Sequence, residues 1–298
     1  MSGLVLGLPG AEACAGPLAA LLGAEAGSVD FRRFPDGESY YRIVTPVKGR
    51  DVVVVAALRD PDALALGLAF VADTAREMGA RRVGLVAPYL PYMRQDARFQ
   101  PGEAITSRTF ARFVSQAFDW LVTVDPHLHR YPTLDVVYTI PSTVVPSAPA
   151  VARWVQAHLA RPVIIGPDSE SEQWTGDVAR RVGCPSQVLT KTRLGDRHVE
   201  ISLPEPGLAE GRQPVLLDDI ISSGHTMAEA VRHVRSAFGT APVCVGVHAL
   251  FAPAARELLL AAGASQVLTC NTVPDASNAI DVLPDIAAAV RPLLQAGV

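Results

Sequence analysis

The chain has 298 residues, 49% of them hydrophobic and 19% charged, with a formal net charge of -4 at pH 7. That much apolar material excludes a disordered chain and suffices for two domains of ordinary size. The mildly acidic balance argues against a general nucleic-acid binder, which needs a basic face, but it is compatible with a local pocket for a phosphorylated small molecule.

In chain order, Met1–Leu6 carries no basic leader and reads as a first strand. Val52–Leu58 then reads as a buried strand, Ala63–Met78 as a helix, Val83–Pro88 as a strand, Ser107–Ala117 as a helix and Leu121–Asp125 as a strand. Prolines and small residues interrupt the pattern between Ile140 and Ser147, which sets the expected domains at 1–145 and 146–298. Beyond the break come helix Ala150–Leu159, strand Val163–Gly166, strand Val215–Asp218, helix Thr226–Phe238, strand Val243–Leu250 and helix Pro253–Ala262. Strands of continuous rather than alternating apolar character imply an α/β fold whose parallel sheets are covered on both faces. No sequence repeat marks the two halves as copies. No apolar run approaches the roughly 20 residues of a membrane span. The four cysteines, Cys14, Cys184, Cys244 and Cys270, contain no C-x-x-C pair, so neither a zinc site nor a disulfide framework is supported. A cytoplasmic protein free of membrane is expected.

In parallel α/β folds, ligands gather beyond the carboxyl ends of the strands. The strongest such segment is Val215–Met227: an apolar strand, the acids Asp218 and Asp219, a small polar turn, then a helix. Backbone N–H groups and the hydroxyls of Ser222, Ser223 and Thr226 at a helix N-terminus suit a phosphate dianion. The two carboxylates are placed to accept hydrogen bonds from vicinal sugar hydroxyls, or to hold a metal through water. The plainer reading is a strand end with Ser223 as an N-cap. The segment resembles the phosphoribosyl pyrophosphate signature shared by type I phosphoribosyltransferases and ribose-phosphate pyrophosphokinases, and it does not by itself choose between them.

Five further segments resemble the pyrophosphokinases, in that family's order. Phe34, Asp36, Gly37 and Glu38 match its Phe-x-Asp-Gly-Glu loop, where the ring lies against adenine in a neighbouring subunit's ATP site. Asp36-Gly37 alone reads as a hairpin turn. Arg94, Gln95 and Asp96, with Arg98 following, match its Tyr-x-Arg-Gln-Asp motif, in which an arginine can stack on the purine. His127 matches the Asp-x-His segment that contacts Mg-ATP, whereas His129 is left outside the site. Asp168 matches a Pro-Asp acid that helps to hold Mg²⁺, a hard cation preferring oxygen ligands. Lys191 and Arg193 match the catalytic flexible loop, and Arg193 is also expected on the sugar phosphate. Three departures stand out. Ser169–Glu172 replaces a Gly-Gly loop, Ser222 stands where aspartate is frequent, and His225 stands where glycine lets backbone approach the phosphate.

The resemblance implies two similar type I phosphoribosyltransferase-like domains, each a mainly parallel sheet flanked by helices. It implies an enzyme that moves the pyrophosphoryl group of ATP to the 1-hydroxyl of ribose 5-phosphate, giving 5-phosphoribosyl 1-pyrophosphate and AMP. Mg²⁺ is the implied cofactor, held near His127 and Asp168. Asp218, Asp219 and the Ser222, Ser223, Gly224, His225, Thr226 turn are the implied ribose 5-phosphate site. ATP and ribose 5-phosphate are the implied partners, within a homo-oligomer, dimer or larger, whose ATP site is shared between subunits. The alternatives are a salvage phosphoribosyltransferase, a non-catalytic regulatory homologue, and the same chemistry on another sugar phosphate.

Overall fold

The structure is a computed structural model; it describes residues 3–189, 191–193, 199–201 and 206–295, with backbone alone at 191–193, 199–201, 206 and 209. The chain divides into two compact units. One is 1–145 with 272–274 and 283–298; the other is 146–271 with 275–282.

The first unit contains β1 (Leu4–Gly7), α1 (Glu12–Leu22), β2 (Glu25–Gly27), β3 (Val29–Arg33), β4 (Ser39–Ile43), β5 (Asp51–Val55) and α2 (Pro61–Glu77). It continues with β6 (Arg82–Val86), α3 (Thr106–Ala117), β7 (Trp120–Val124) and β8 (Ser142–Val145). The second contains α4 (Ala148–His158), β9 (Pro162–Gly166), α5 (Glu172–Val182), β10 (Ser186–Val188), β11 (Lys191–Arg193), β12 (Val199–Ile201) and α6 (Pro206–Ala209). After these come β13 (Gln213–Ile221), α7 (His225–Phe238), β14 (Val243–Ala249), α8 (Ala255–Ala262), β15 (Gln266–Cys270) and β16 (Asn278–Ile280); α9 (Leu283–Gln295) closes the chain.

Each unit holds a six-stranded sheet, ordered β2-β1-β5-β6-β7-β8 in one and β10-β9-β13-β14-β15-β16 in the other. Every neighbouring pair in both sheets is parallel. The two orders are the same path: a central strand, an edge strand, a hairpin outside the sheet, then a return beside the first strand and a march outward. The hairpins are β3–β4 and β11–β12, both antiparallel. The α/β reading with two similar halves is therefore what the chain forms, although no sequence repeat advertised it. Strands such as β5, β7, β9 and β14 are buried along their whole length, which explains why they are mainly apolar, with Asp51, Thr123 and His248 as their polar exceptions.

Two expectations need correction. The last helix lies with the first unit, so the second is not simply 146–298. The reason is apolar cover: α9 buries Leu283, Ile286, Ala287 and Val290 and packs on α1, β7 and β8, where Arg291 also donates to the Leu21 carbonyl at 2.8 Å. The strand expected at Val215–Asp218 runs from Gln213 to Ile221, because Ile220 and Ile221 still pair with His248 and Ala249. Among the described residues no helix is long and apolar enough to cross a membrane.

Candidate active site

In the second unit, β13 pairs with β9 only as far as Leu216 opposite Ile165. The remaining residues of β13 overrun that neighbour, and on the open side stand Asp168, just after β9, and Asp218. This is the point where the chain leaves β9 in one direction for β10 and in the other for β13, the crevice that α/β sheets use for ligands. A 160 Å³ cavity lies there, lined by Asp168, Asp218 and the Ser222–Thr226 turn among others.

The turn is shaped for close approach. Gly224 has φ 77° and leads directly into α7, and a Cβ on it would stand 3.3 Å from the Ala255 carbonyl oxygen. Helix α7 begins at His225, and its first internal hydrogen bond runs from the Ala228 N–H to the Gly224 carbonyl at 2.8 Å. The N–H groups preceding it have no partner within the helix, as at any helix start. Gly224, and not Ser223, occupies the cap position, without a side-chain cap. His225 is exposed and lines the cavity.

Asp218 is electrostatically strained. Burial pushes the Asp218 carboxyl well above the ordinary carboxylate range, and the neighbouring charges of Asp219 and Asp168 add to the rise. One hydrogen bond opposes it, from the Asp219 N–H to Asp218 Oδ1 at 3.0 Å. Asp219 itself is buried. Asp168 spends one oxygen on the Glu170 N–H at 3.0 Å, and its carbonyl accepts from the Ser171 hydroxyl at 2.6 Å. The Ser169–Glu172 stretch is thus a tight helical turn running into α5, with Glu170 and Glu172 exposed. Lys191 and Arg193 fall on β11, paired with β12 through Lys191–Ile201 and Arg193–Val199, and their side chains lie outside the described residues.

In the first unit, β3 and β4 form a hairpin whose tip is Phe34–Glu38. Phe34 N–H donates to the Glu38 carbonyl at 2.8 Å, Gly37 N–H to the Phe34 carbonyl at 2.9 Å, and Glu38 N–H to Asp36 Oδ1 at 3.1 Å. Gly37 has φ 94°, a conformation costly for any other residue. The Phe34 ring carries the Arg32 guanidinium 4.9 Å from its centroid. Arg33 ties the tip to the start of α2 through the Ala63 carbonyl at 3.2 Å.

The segment after β6 is braced by one carboxylate. Glu103 accepts from the N–H groups of Phe99 and Gln100 at 2.8 and 2.9 Å and from the Gln95 amide at 3.3 Å, while its carbonyl accepts from Arg98 at 2.7 Å. Arg94 is exposed. Asp96 is not: it is 4% accessible and its Oδ1 accepts from Arg130 at 2.6 Å. Local patterning did not single out Arg130, because its partner lies 34 residues away. After β7, Asp125 has φ 32°, and His127 follows with the His129 ring edge-on against it, centroids 3.9 Å apart.

Two family models match the chain: the N-terminal domain of ribose phosphate pyrophosphokinase over residues 4–117, and the phosphoribosyl transferase domain over residues 146–285. The ribose-phosphate pyrophosphokinase of Methanopyrus kandleri is 37% identical over 279 residues, covering 93% of this chain and 94% of its own. That of Methanosarcina acetivorans is 31% identical over 291 residues, covering 97% and 99%. Among solved structures, the phosphoribosylpyrophosphate synthetase of Mycobacterium smegmatis matches the whole of both chains with a TM-score of 0.85 at 22% identity.

Proposed function

The chain belongs to the ribose-phosphate pyrophosphokinase family, and from that premise we propose how its own residues divide the work of forming 5-phosphoribosyl 1-pyrophosphate. The reaction is that of the family; the assignment of residues to it is our reading. The observation that carries it is the crevice at the end of β13, where a phosphate-shaped turn and the under-compensated Asp218 carboxyl share one small cavity with Asp168.

Ribose 5-phosphate lies with its phosphate in the Ser222, Ser223, Gly224, His225, Thr226 turn, on unpaired N–H groups and hydroxyls. Asp218 and Asp219 accept from its ring hydroxyls, which relieves acids that otherwise crowd one another. ATP is taken by Arg94, Gln95, Arg98 and His127, with Asp96 serving from within the same segment through its buried contact with Arg130 and not by touching the nucleotide. The hairpin tip Phe34, Asp36, Gly37 and Glu38 serves the ATP site of a neighbouring copy in a homo-oligomer. Asp168 offers the oxygen that a hard divalent cation prefers and would hold Mg²⁺, and His127, after β7, is likewise assigned to Mg²⁺ by its match to the family's segment. Bound Mg²⁺ supplies neutralisation of charge on the phosphate oxygens. In the transfer, the 1-hydroxyl oxygen bonds to the β-phosphorus, the bridge to the α-phosphate breaks towards AMP, and the hydroxyl proton passes to solvent. Positioning and charge neutralisation dominate such transfers, and Lys191 and Arg193 serve the second role by closing over the phosphates.

The test is coupled detection of AMP from the purified chain with Mg-ATP and a panel of sugar phosphates, ribose 5-phosphate among them. AMP release dependent on ribose 5-phosphate, and abolished by Lys191→Ala with ATP affinity retained, is the expected result. Product formation from a nucleobase and no ATP, or no AMP with any sugar phosphate, would sink the assignment.

A further inference from the structure

Asp96 sits within the segment read above as part of the ATP site, yet its carboxylate points away from solvent. Its side chain is 2% accessible, and the partner it has found is Arg130, half exposed, at 2.6 Å. A buried carboxylate is costly unless it is paired, so this contact fixes where the segment sits. The tie is reinforced on three sides. The Arg130 guanidinium lies over the Phe99 ring, 5.0 Å from its centroid. The Tyr131 hydroxyl donates to the Asp96 carbonyl at 3.0 Å and shares a 3.1 Å hydrogen bond with the Ser107 hydroxyl. Ser107 in turn donates to the Gln95 carbonyl at 3.0 Å. Arg130 and Tyr131 thereby hold the buried side chain and the carbonyl of Asp96, and Tyr131's partner Ser107 holds the carbonyl of Gln95, while Arg94 and Gln95 remain accessible beside them. The same short stretch begins at His127. One cation therefore sets the spacing between the two loops assigned to the nucleotide.

We propose that Arg130 is a positioning residue for ATP: it touches no substrate, and it acts by neutralising Asp96 so that Arg94 and Gln95 stay in register with His127. The inference rests on the ATP-site reading above. Without Arg130, Asp96 is left charged and dry, and the segment must open to hydrate it, carrying Arg94 and Gln95 out of place. Lysine restores the charge but not the planar fork or the stacking on Phe99. Neutralising Asp96 as well removes the reason to open.

The experiment measures affinity for adenosine 5′-(α,β-methylene)triphosphate with Mg²⁺ by calorimetry, alongside affinity for ribose 5-phosphate and steady-state kinetics. Arg130→Ala is expected to weaken the nucleotide by about tenfold or more, the scale of a lost charge-assisted bond. KM for ATP should rise with it, and ribose 5-phosphate affinity should stay within about twofold, because none of the residues tied to Arg130 lines its turn. Arg130→Lys should recover part of the loss, and Arg130→Ala combined with Asp96→Asn should bind better than Arg130→Ala alone. Unchanged nucleotide affinity in Arg130→Ala, or a double variant no better than the single, overturns the role of Arg130. A wild-type chain that fails to bind the analogue refutes the ATP-site reading itself, and this inference with it.

Discussion

Replacing Asp218 by Asn should move stability and ligand affinity in opposite directions. Asparagine keeps Oδ1, so the 3.0 Å bond from the Asp219 N–H survives, while the charge is lost and the second acceptor oxygen becomes an NH2 donor. In the folded protein the Asp218 carboxyl titrates well above its ordinary range, owing to burial and then to Asp219 and Asp168. The folded state therefore holds the proton more tightly than the unfolded chain does, and wild-type stability falls as pH rises through the interval between the two titrations. Below the unfolded carboxylate range, about pH 4, wild type and variant should be equally stable. Above it the variant should gain, with a slope of up to about 1.4 kcal/mol per pH unit, and the gain should level off once the folded carboxyl ionises. Each kcal/mol corresponds to about 2–4 °C in Tm for units of this size. Affinity goes the other way: a charged acceptor for a sugar hydroxyl is worth about 1.5–3 kcal/mol, or about 10- to 150-fold in the Kd for ribose 5-phosphate. Thermal melts of both proteins from pH 4 to 8, with a binding titration at pH 7.5, provide the data. A variant no more stable than wild type at pH 7.5, with the same pH slope, would refute the claim that Asp218 is an under-compensated acid.

Gly224→Ala should cost about 1–2 kcal/mol through its left-handed φ of 77°, and the new methyl would press on the Ala255 carbonyl. A lower urea midpoint together with weaker ribose 5-phosphate binding is the expected outcome, and a neutral effect on both would contradict the tight-turn geometry. Tyr92, pushed up to about 12 by burial and then by its hydrogen bond to Asp62, should stay un-ionised well past the ordinary tyrosine range. Its raised value means that the stability it is linked to declines between about pH 10 and 12, and Asp62→Asn should bring its near-ultraviolet titration down.

Much of the architecture was legible because buried parallel strands announce themselves. Val52–Val55 and Val215–Leu217 are uninterrupted apolar runs, and each falls inside a strand covered on both faces. The end of β13 was not legible: two adjacent acids look like a terminus, and only pairing with β14, a distant stretch of chain, carries the strand on to Ile221. Helix α1, rich in alanine with Gly16 and Pro17 inside it, has little of the amphipathic contrast that marks α3 or α7. The place of α9 depends on which exposed sheet face lacks cover, a tertiary fact. For the site, the residue types and their order were readable, and the turn before α7 lies where its composition put it. The direction in which each side chain points was not. Asp96 is turned onto Arg130, and the Glu103 carboxylate ties down its own loop, because such contacts are chosen by packing among segments far apart in sequence.

The shared strand path has a consequence for where the two units can differ. In both sheets the chain leaves the edge strand at its carboxyl end and must travel back to the amino end of the sheet before re-entering, parallel, on the other side of the first strand. A hairpin spliced into that journey disturbs no pairing in the sheet, and lengthening such a connection costs only logarithmically in closure entropy. The position works as a socket. The two hairpins differ in what they carry: the first holds a ring and acceptors at Phe34, Asp36 and Glu38, the second Lys191 and Arg193. Hairpin exchange or resizing at these two sockets is accordingly the least disruptive route to altered specificity in this scaffold.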